Sequence, residues 1–240
     1  MMENNKTTPS VLVVIPAYNE ELNIYNTVMD LREKCPSYDY VIINDCSMDN
    51  TLKVLKDNHF SYLNLPTNLG IGGAVQCGYM YAAENGYDIA IQMDGDGQHD
   101  PKYYPEAVKI IEDDEADIVI GSRFITNEGF QTSFMRRFGI RFLSGLINLM
   151  CHEKVKDVTS GYRVVNRKYL ELFANEYAQD YPEPEAIIAA KLKNARIREI
   201  PVVMREREKG ESSISPLKSI VYMIKVSLAI IFSRMTIKRS

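Results

Sequence analysis

The chain has 240 residues, 45% of them hydrophobic and 25% charged, enough for one α/β domain with its own core. A net charge of −4 excludes a general nucleic-acid binder, because no basic excess is present to neutralise phosphates. Cys35, Cys46, Cys77 and Cys151 form no CxxC pair, which speaks against a disulfide framework or zinc site and for reduced, mostly packed thiols.

The opening MMENNKTTPS has no apolar run, so residues 1–10 read as a disordered start without a secretory signal, and the body is placed on the cytosolic side. Val11–Ile15 is a β-branched run closed by Pro16, and Glu20–Lys34 reads as a helix. Tyr40–Asn44 predicts a second strand, and Asp49–Asn58 a helix capped by Ser47 or Asp49. Phe60–Leu65 is a third strand, followed by Gly70, Gly72, Gly73 and a helix to about Glu84. Ile89–Met93 and Ile118–Ile120 are further buried strands, with the helix Lys102–Asp113 between them. Strands spaced by single helices imply a mostly parallel sheet flanked by helices, with ligands beyond the carboxyl ends of the strands.

After Arg123 the alternation breaks. Ile125–Ser133 is a polar connection, and Ser133–Met150 a helix carrying Arg136, Arg137 and Arg141. Short extended pieces fall within Val155–Asn166, a helix at Glu183–Lys193 and a strand at Ile197–Met204, then a charged loop at Arg205–Ser215. Ser215-Pro216 starts a last helix, with serine as cap and proline in the first turn.

The loop after the fourth strand, Asp94-Gly95-Asp96-Gly97-Gln98-His99-Asp100-Pro101, is the most informative. Its alternating aspartates suit a hard divalent cation, Mg²⁺ or Mn²⁺, that also binds substrate phosphates. The other reading is an Asp-Gly turn leading into the next helix. Gly70, Gly72 and Gly73 read more simply as a helix start than as a phosphate cradle. His99 reads as a supporting or surface residue, and Asp157 either as a general base or as an Asx-type brace of its loop. The arginines of the Ser133–Met150 helix face either anionic lipid or solvent.

Taken together, IPAYNEE, IINDCSMDNT, NLGIGGAVQCGY, QMDGDGQHDP and GSRF resemble, in order and spacing, family 2 glycosyltransferases of the GT-A fold. Asp157–Arg163 (DVTSGYR) and Arg207–Ser212 (REKGES) narrow the resemblance to the branch of dolichyl-phosphate mannose synthases, over roughly Val11 to Ser213. The resemblance implies that Pro16, Ala17, Tyr18 and Glu20 line the nucleotide pocket and that Asp45 accepts a hydrogen bond from the base. It implies Asp94 at the ribose or metal, and Asp96 and Gln98 as metal ligands. Arg123 would approach phosphates with its guanidinium fork. Ser160 and Gly161 amides would cradle an acceptor phosphate, Arg163 would supply countercharge, and Arg207 and Ser212 would close over the phosphates. With Asp157 as base, the catalytic set is Asp157, Asp96 and Arg163. The chain departs from the pattern at Asn44, often aspartate, at Cys46, often glycine, and at Ser213, often lysine; the first two put base contacts in doubt and the last removes a countercharge.

From Ser212 to Ser240 there are five basic residues and no acidic one. On a helical wheel Leu217, Ile220, Val221, Ile224, Leu228 and Ile231 share a face, opposite Lys218, Ser219, Tyr222 and Lys225. The apolar run Val226–Phe232 is too short to span a bilayer, so residues 214–240 read as a basic helix lying in the membrane interface. A helix packed on the core or on a partner is the other reading.

The expected whole is a GT-A domain over residues 11–213 with that helix appended. It would transfer a hexose with inversion from a nucleotide sugar, UDP-linked by weak analogy with GDP-mannose still open, to a polyprenyl phosphate, in polysaccharide or glycoconjugate synthesis. The protein would sit peripherally on the cytoplasmic face of the membrane, with a small membrane-protein partner or a homo-oligomer left open and no nucleic-acid partner. A family 2 enzyme extending a saccharide is the first rival, and a non-catalytic nucleotide-sugar binder the second.

Overall fold

The computed structural model describes residues 8–126, 128, 134–206 and 216–236. Most of the start expected to be disordered, and Arg207 and Ser212 of the expected closing loop, lie outside the described residues. The first half alternates as the sequence predicts: β1 (Val11–Ala17), α1 (Ile24–Lys34), β2 (Asp39–Asn44), α2 (Thr51–Asp57), β3 (Tyr62–Asn64), α3 (Gly70–Glu84) and β4 (Ile89–Gln92). β1 is buried along its whole length because it is central, pairing in parallel with β2 on one side and β4 on the other. Its continuous apolar run is what a strand covered on both faces requires.

A 3-10 turn at Pro101–Tyr103 and α4 (Tyr104–Glu112) lead into β5 (Ile118–Ser122). Beyond α5 (Phe134–Cys151) come β6 (Arg163–Asn166), α6 (Arg167–Asn175), α7 (Pro182–Leu192), β7 (Ile197–Pro201) and α8 (Pro216–Thr236). The seven-stranded sheet has the order β3-β2-β1-β4-β6-β5-β7. It is parallel except for β6, which inserts antiparallel between β4 and β5. The extended pieces expected at 155–166 thus condense into one short strand in mid-sheet. Helix α6 has no counterpart in the expected elements; Asn166 starts it by accepting a hydrogen bond from Tyr169 N at 3.1 Å.

One core face packs α1 and α4 on the sheet, and the other packs α3, α5, α6, α7 and α8. Val226 and Ile230 of α8 are buried in the same cluster as Ile140, Leu143 and Ile147 of α5. This corrects the expected wheel. Ile224 and Leu228 face outward, together with Phe232 and Met235, while the buried side is offset from them. The reason is that α8 is apolar on two sides, so one side packs and the other stays open. A Cβ on Gly139 would meet Met223 Sδ at 2.8 Å, and Arg234 Nε donates to Met150 O at 3.0 Å. Both contacts advance in the same direction, so α5 and α8 run parallel and their outward faces adjoin. On α5 that outward face carries Phe138, Phe142 and Leu149, all exposed. Among the described residues no helix is long and apolar enough to cross a membrane.

Candidate active site

The carboxyl ends of β1, β2 and β4 open into a cleft of about 350 Å³ whose lining includes Pro16, Ala17, Tyr18, Glu20, Asp45, Asp94 and Asp96. Every nucleotide-side residue expected from the sequence therefore meets in one place. Tyr18 is exposed at the rim, and Glu20 is tied to the second loop because its N–H donates to Thr51 Oγ1 at 2.8 Å. Asp45 is buried, and its carboxylate accepts from Leu69 N at 2.7 Å and Gly70 N at 2.9 Å. It therefore holds the start of α3, a task the sequence did not suggest, while still lining the cleft. Gly72 has a packing reason: a Cβ there would stand 2.4 Å from the carbonyl oxygens of Ala178 and Gln179. Cys46 adopts φ 58°, the left-handed conformation that glycine takes most easily, which accounts for glycine at this position in the resembled pattern. Asn44 spans the loop, donating to Asn64 Oδ1 at 2.6 Å and accepting from Ser47 Oγ at 2.6 Å.

The aspartate loop is braced from behind. Asp94 N donates to His99 Nδ1 at 3.2 Å, and His99 is buried against the ring of Tyr162. Burial lowers the His99 pKa to about 4, which keeps the imidazole neutral and an acceptor. Asp96 Oδ1 accepts from Gln98 N at 3.0 Å, and Gln98 Nε2 donates to Arg205 O at 3.3 Å. Among the described residues no group of three His, Cys, Asp or Glu side chains is placed to hold a metal. Two carboxylates on one loop, with the Asp94 side chain 37% exposed, nevertheless fit a cation such as Mg²⁺, which takes one or two protein carboxylates and completes its shell from phosphates and water.

Arg205 fastens the segment after β7 to this loop. Its guanidinium reaches Asp30 at 2.9 Å and Asp100 at 3.0 Å, and its N–H donates to Gln98 O at 3.0 Å. Asp100 is partly desolvated, which opposes its charge, but Lys34, the Lys102 amide and Arg205 outweigh this and hold its pKa down at about 2.

Within electrostatic reach of Asp94, Arg123 and Asp157 form a buried pair. Arg123 Nε and Nη2 each donate to the Asp157 carboxylate at 2.7 Å, and Arg123 N adds a third bond at 3.1 Å. Arg123 Nη2 also reaches Thr159 Oγ1 at 3.2 Å. Burial opposes the arginine's charge, but Asp157 outweighs it and raises its pKa. Asp157 has 0% exposure, so both its oxygens serve Arg123 rather than the open cleft, and the base reading gives way to a bracing one. Ser160 is also committed: its N–H donates to Asp157 O at 3.3 Å and its hydroxyl to Gly121 O at 2.6 Å. Gly161 lies directly over the aspartate loop, where a Cβ would stand 3.0 Å from Asp94 Oδ1 and 3.1 Å from Gln92 Nε2.

Arg163 differs from its expected place. Only 1% of it is exposed, and its Nη2 donates to Glu183 O at 3.1 Å, so it is buried against α7. Glu183 itself was not marked by the sequence. An acidic residue after Pro182 in a first helical turn looks like ordinary helix-dipole compensation, so no local signal singles it out.

The Glycosyl transferase family 2 description matches residues 12–173. The undecaprenyl-phosphate mannosyltransferase of Micrococcus luteus is 30% identical over 214 residues, 85% of this chain and 87% of that protein. The UDP-N-acetylglucosamine–dolichyl-phosphate N-acetylglucosaminyltransferase of Methanococcus voltae is 32% identical over 80% of this chain and 84% of its own. In fold, the chain is similar to glucosyl-3-phosphoglycerate synthase from Mycobacterium tuberculosis, solved with Mn²⁺, uridine diphosphate and phosphoglyceric acid. That likeness has a TM-score of 0.70 at 19% identity, over 97% of this chain and 80% of the other. With the family pattern over more than half its length and the GT-A sheet around one cleft, this chain belongs to glycosyl transferase family 2 and is a glycosyltransferase.

Proposed function

We propose that this protein transfers a hexose, with inversion, from a nucleoside-diphosphate sugar to a polyprenyl phosphate at a membrane surface. The observation that carries this reading is the nearness of two groups of opposite charge, within electrostatic reach of each other. One is the Asp94–Asp96 loop; the other is Arg123, locked by the Asp157 carboxylate. The two relatives named for polyprenyl- or dolichyl-phosphate substrates support the same acceptor class.

On the donor side, Pro16, Ala17, Tyr18, Glu20 and Asp45 would hold base and ribose, leaving the diphosphate at Asp94 and Asp96. Mg²⁺ or Mn²⁺ held there by Asp94, Asp96 and Gln98 would neutralise the diphosphate and the charge that grows on it as the glycosidic bond breaks. Arg123 would face the acceptor phosphate with a guanidinium already aligned, so no ordering cost falls on the reaction. Arg207 and Ser212, outside the described residues, would add phosphate contacts. A phosphate acceptor is anionic at neutral pH and attacks the anomeric carbon without a strong base, consistent with an Asp157 committed to Arg123. UDP is the favoured donor nucleotide, with GDP-mannose the alternative.

The outward faces of α5 and α8 suit the membrane part of the reading. Phe138, Phe142, Leu149, Ile224, Leu228 and Phe232 are exposed beside the exposed cations Arg141 and Lys225. Apolar residues flanked by cations suit the cytoplasmic interface of an anionic membrane.

The test is incubation with membrane lipids and a panel of labelled nucleotide sugars, followed by organic extraction. The expected product enters the organic phase and releases its sugar in mild acid. Label found only on a water-soluble glycan would replace the lipid-phosphate acceptor with a saccharide.

A further inference from the structure

After β7 the chain keeps Val202 and Met204 in the core, but Arg205 borders a cavity of about 250 Å³ whose lining includes Thr27, Asp30, Asp96 and His99. With open space on that side, packing alone does not fix Arg205. Ion pairs do. Its guanidinium meets Asp30 of α1 at 2.9 Å and Asp100, which starts the 3-10 turn, at 3.0 Å. Lys34 joins the same two carboxylates at 2.9 and 2.8 Å, so two acids and two bases alternate in a closed ring. The Asp100 side chain is only 10% exposed, which shields the ring from the screening that leaves surface pairs worth little.

The main chain of the same residue meets the aspartate loop. Arg205 N donates to Gln98 O at 3.0 Å, and Arg205 O accepts from Gln98 Nε2 at 3.3 Å. A carbonyl oxygen only accepts, so the amide must offer it the N–H₂ group. Oε1, the atom a cation can use, carries no donor among the described residues. Gln98 N in turn donates to Asp96 Oδ1 at 3.0 Å, so the same residue touches Arg205 on one side and a candidate metal carboxylate on the other. Partners that hold a ligand side chain in one orientation raise metal affinity, because the ligand need not be ordered when the ion arrives. We propose that Arg205, anchored by Asp30 and Asp100, is a positioning residue that presets the Gln98 amide and so tunes the affinity of the site for its cation. The inference rests on the donor reading above, in which Asp94, Asp96 and Gln98 hold Mg²⁺ or Mn²⁺ beside the diphosphate. Arg205 lies outside both the QMDGDGQHDP and the REKGES blocks, so neither block marks it.

The experiment measures Mn²⁺ affinity from the free-ion electron paramagnetic resonance signal, with excess UDP and, separately, excess GDP. Wild type, Arg205→Ala, Gln98→Ala and the double variant are compared, with melting temperatures to establish folding. Arg205→Ala should weaken Mn²⁺ binding by about 10- to 100-fold, the scale for partners that orient a metal ligand. Arg205→Lys, which can keep one of the two ion pairs, should lose less and serves in its place if Arg205→Ala does not fold. The double variant should bind Mn²⁺ no more weakly than Gln98→Ala alone, because without the amide Arg205 has nothing left to position. Nucleotide affinity in excess chelator should be the same in all of them. Wild-type Mn²⁺ affinity in a folded Arg205 or Gln98 variant overturns the inference. So do losses that multiply in the double variant, which would show Arg205 acting by another route, and a loss of nucleotide affinity in chelator, which would show general damage. A wild type that binds no Mn²⁺ with either nucleotide overturns the cation reading itself, and the role of Arg205 with it.

Discussion

At the scale of single residues, the site is defined by which polar groups are already spoken for. Asp157 looks in sequence like a candidate base, but its two oxygens carry three bonds from Arg123 and none is left facing the cleft. Glu199 in turn accepts from Lys156 N at 2.8 Å and Asp157 N at 2.9 Å, so the brace is itself braced. Removing one partner of a buried pair strands the other charge, at a cost of about 3–5 kcal/mol, whereas replacing both by apolar groups is far milder. Asp157→Leu alone should therefore lower stability by that amount in urea unfolding. The double variant Arg123→Leu/Asp157→Leu should recover much of it without recovering transfer. A single variant as stable as wild type would show that the pair is not the brace described here. Arg163 follows the same logic: with 1% exposure, its loss tests folding at least as much as phosphate binding.

At the scale of elements, α5 and α8 carry the least expected result. A wheel drawn on α8 alone finds one apolar face, but a helix with apolar residues on two sides must be placed before its outer face is known. Val226 and Ile230 take the inner side, so deleting the helix would uncover Ile140, Leu143 and Ile147 and confuse loss of anchoring with loss of fold. Substitution on the outer side avoids this. Ile224→Ser, Leu228→Ser and Phe232→Ser together, with Phe138→Ser and Phe142→Ser on α5, should abolish sedimentation with anionic vesicles and leave the melting temperature nearly unchanged. Such exposed positions rarely contribute more than about 0.5 kcal/mol each to folding. Transfer to long-chain acceptors should fall more than transfer to short, water-soluble ones. Vesicle binding that survives all five changes would remove these faces as the membrane contact.

For the whole molecule, the cleft couples nucleotide, cation and fold, because Asp45 lines it while fixing α3 and Arg205 ties the aspartate loop to the segment after β7. Ligands that bind only the native state raise its stability, by about 2.7 kcal/mol at a hundredfold excess over Kd. UDP or GDP with Mn²⁺ should therefore raise the melting temperature by roughly 5–10 °C for a domain of this size. Chelator should reverse the gain, and Asp96→Asn should show little of it. An equal rise in excess chelator would remove the cation from the site. The alternation of β-branched runs with helices, the strand-end loops and the aspartate pair were all legible in the sequence, because each depends on neighbours a few residues away. So was the family, whose blocks are contiguous and ordered. What the tertiary structure alone decided are the facts that depend on distant partners. These are the insertion of β6 between β4 and β5, the capture of Asp157 by Arg123, the burial of Arg163 against α7, the place of Glu183 and the outer face of α8. No local pattern encodes them, because burial and pairing belong to surfaces that exist only once the chain has closed on itself.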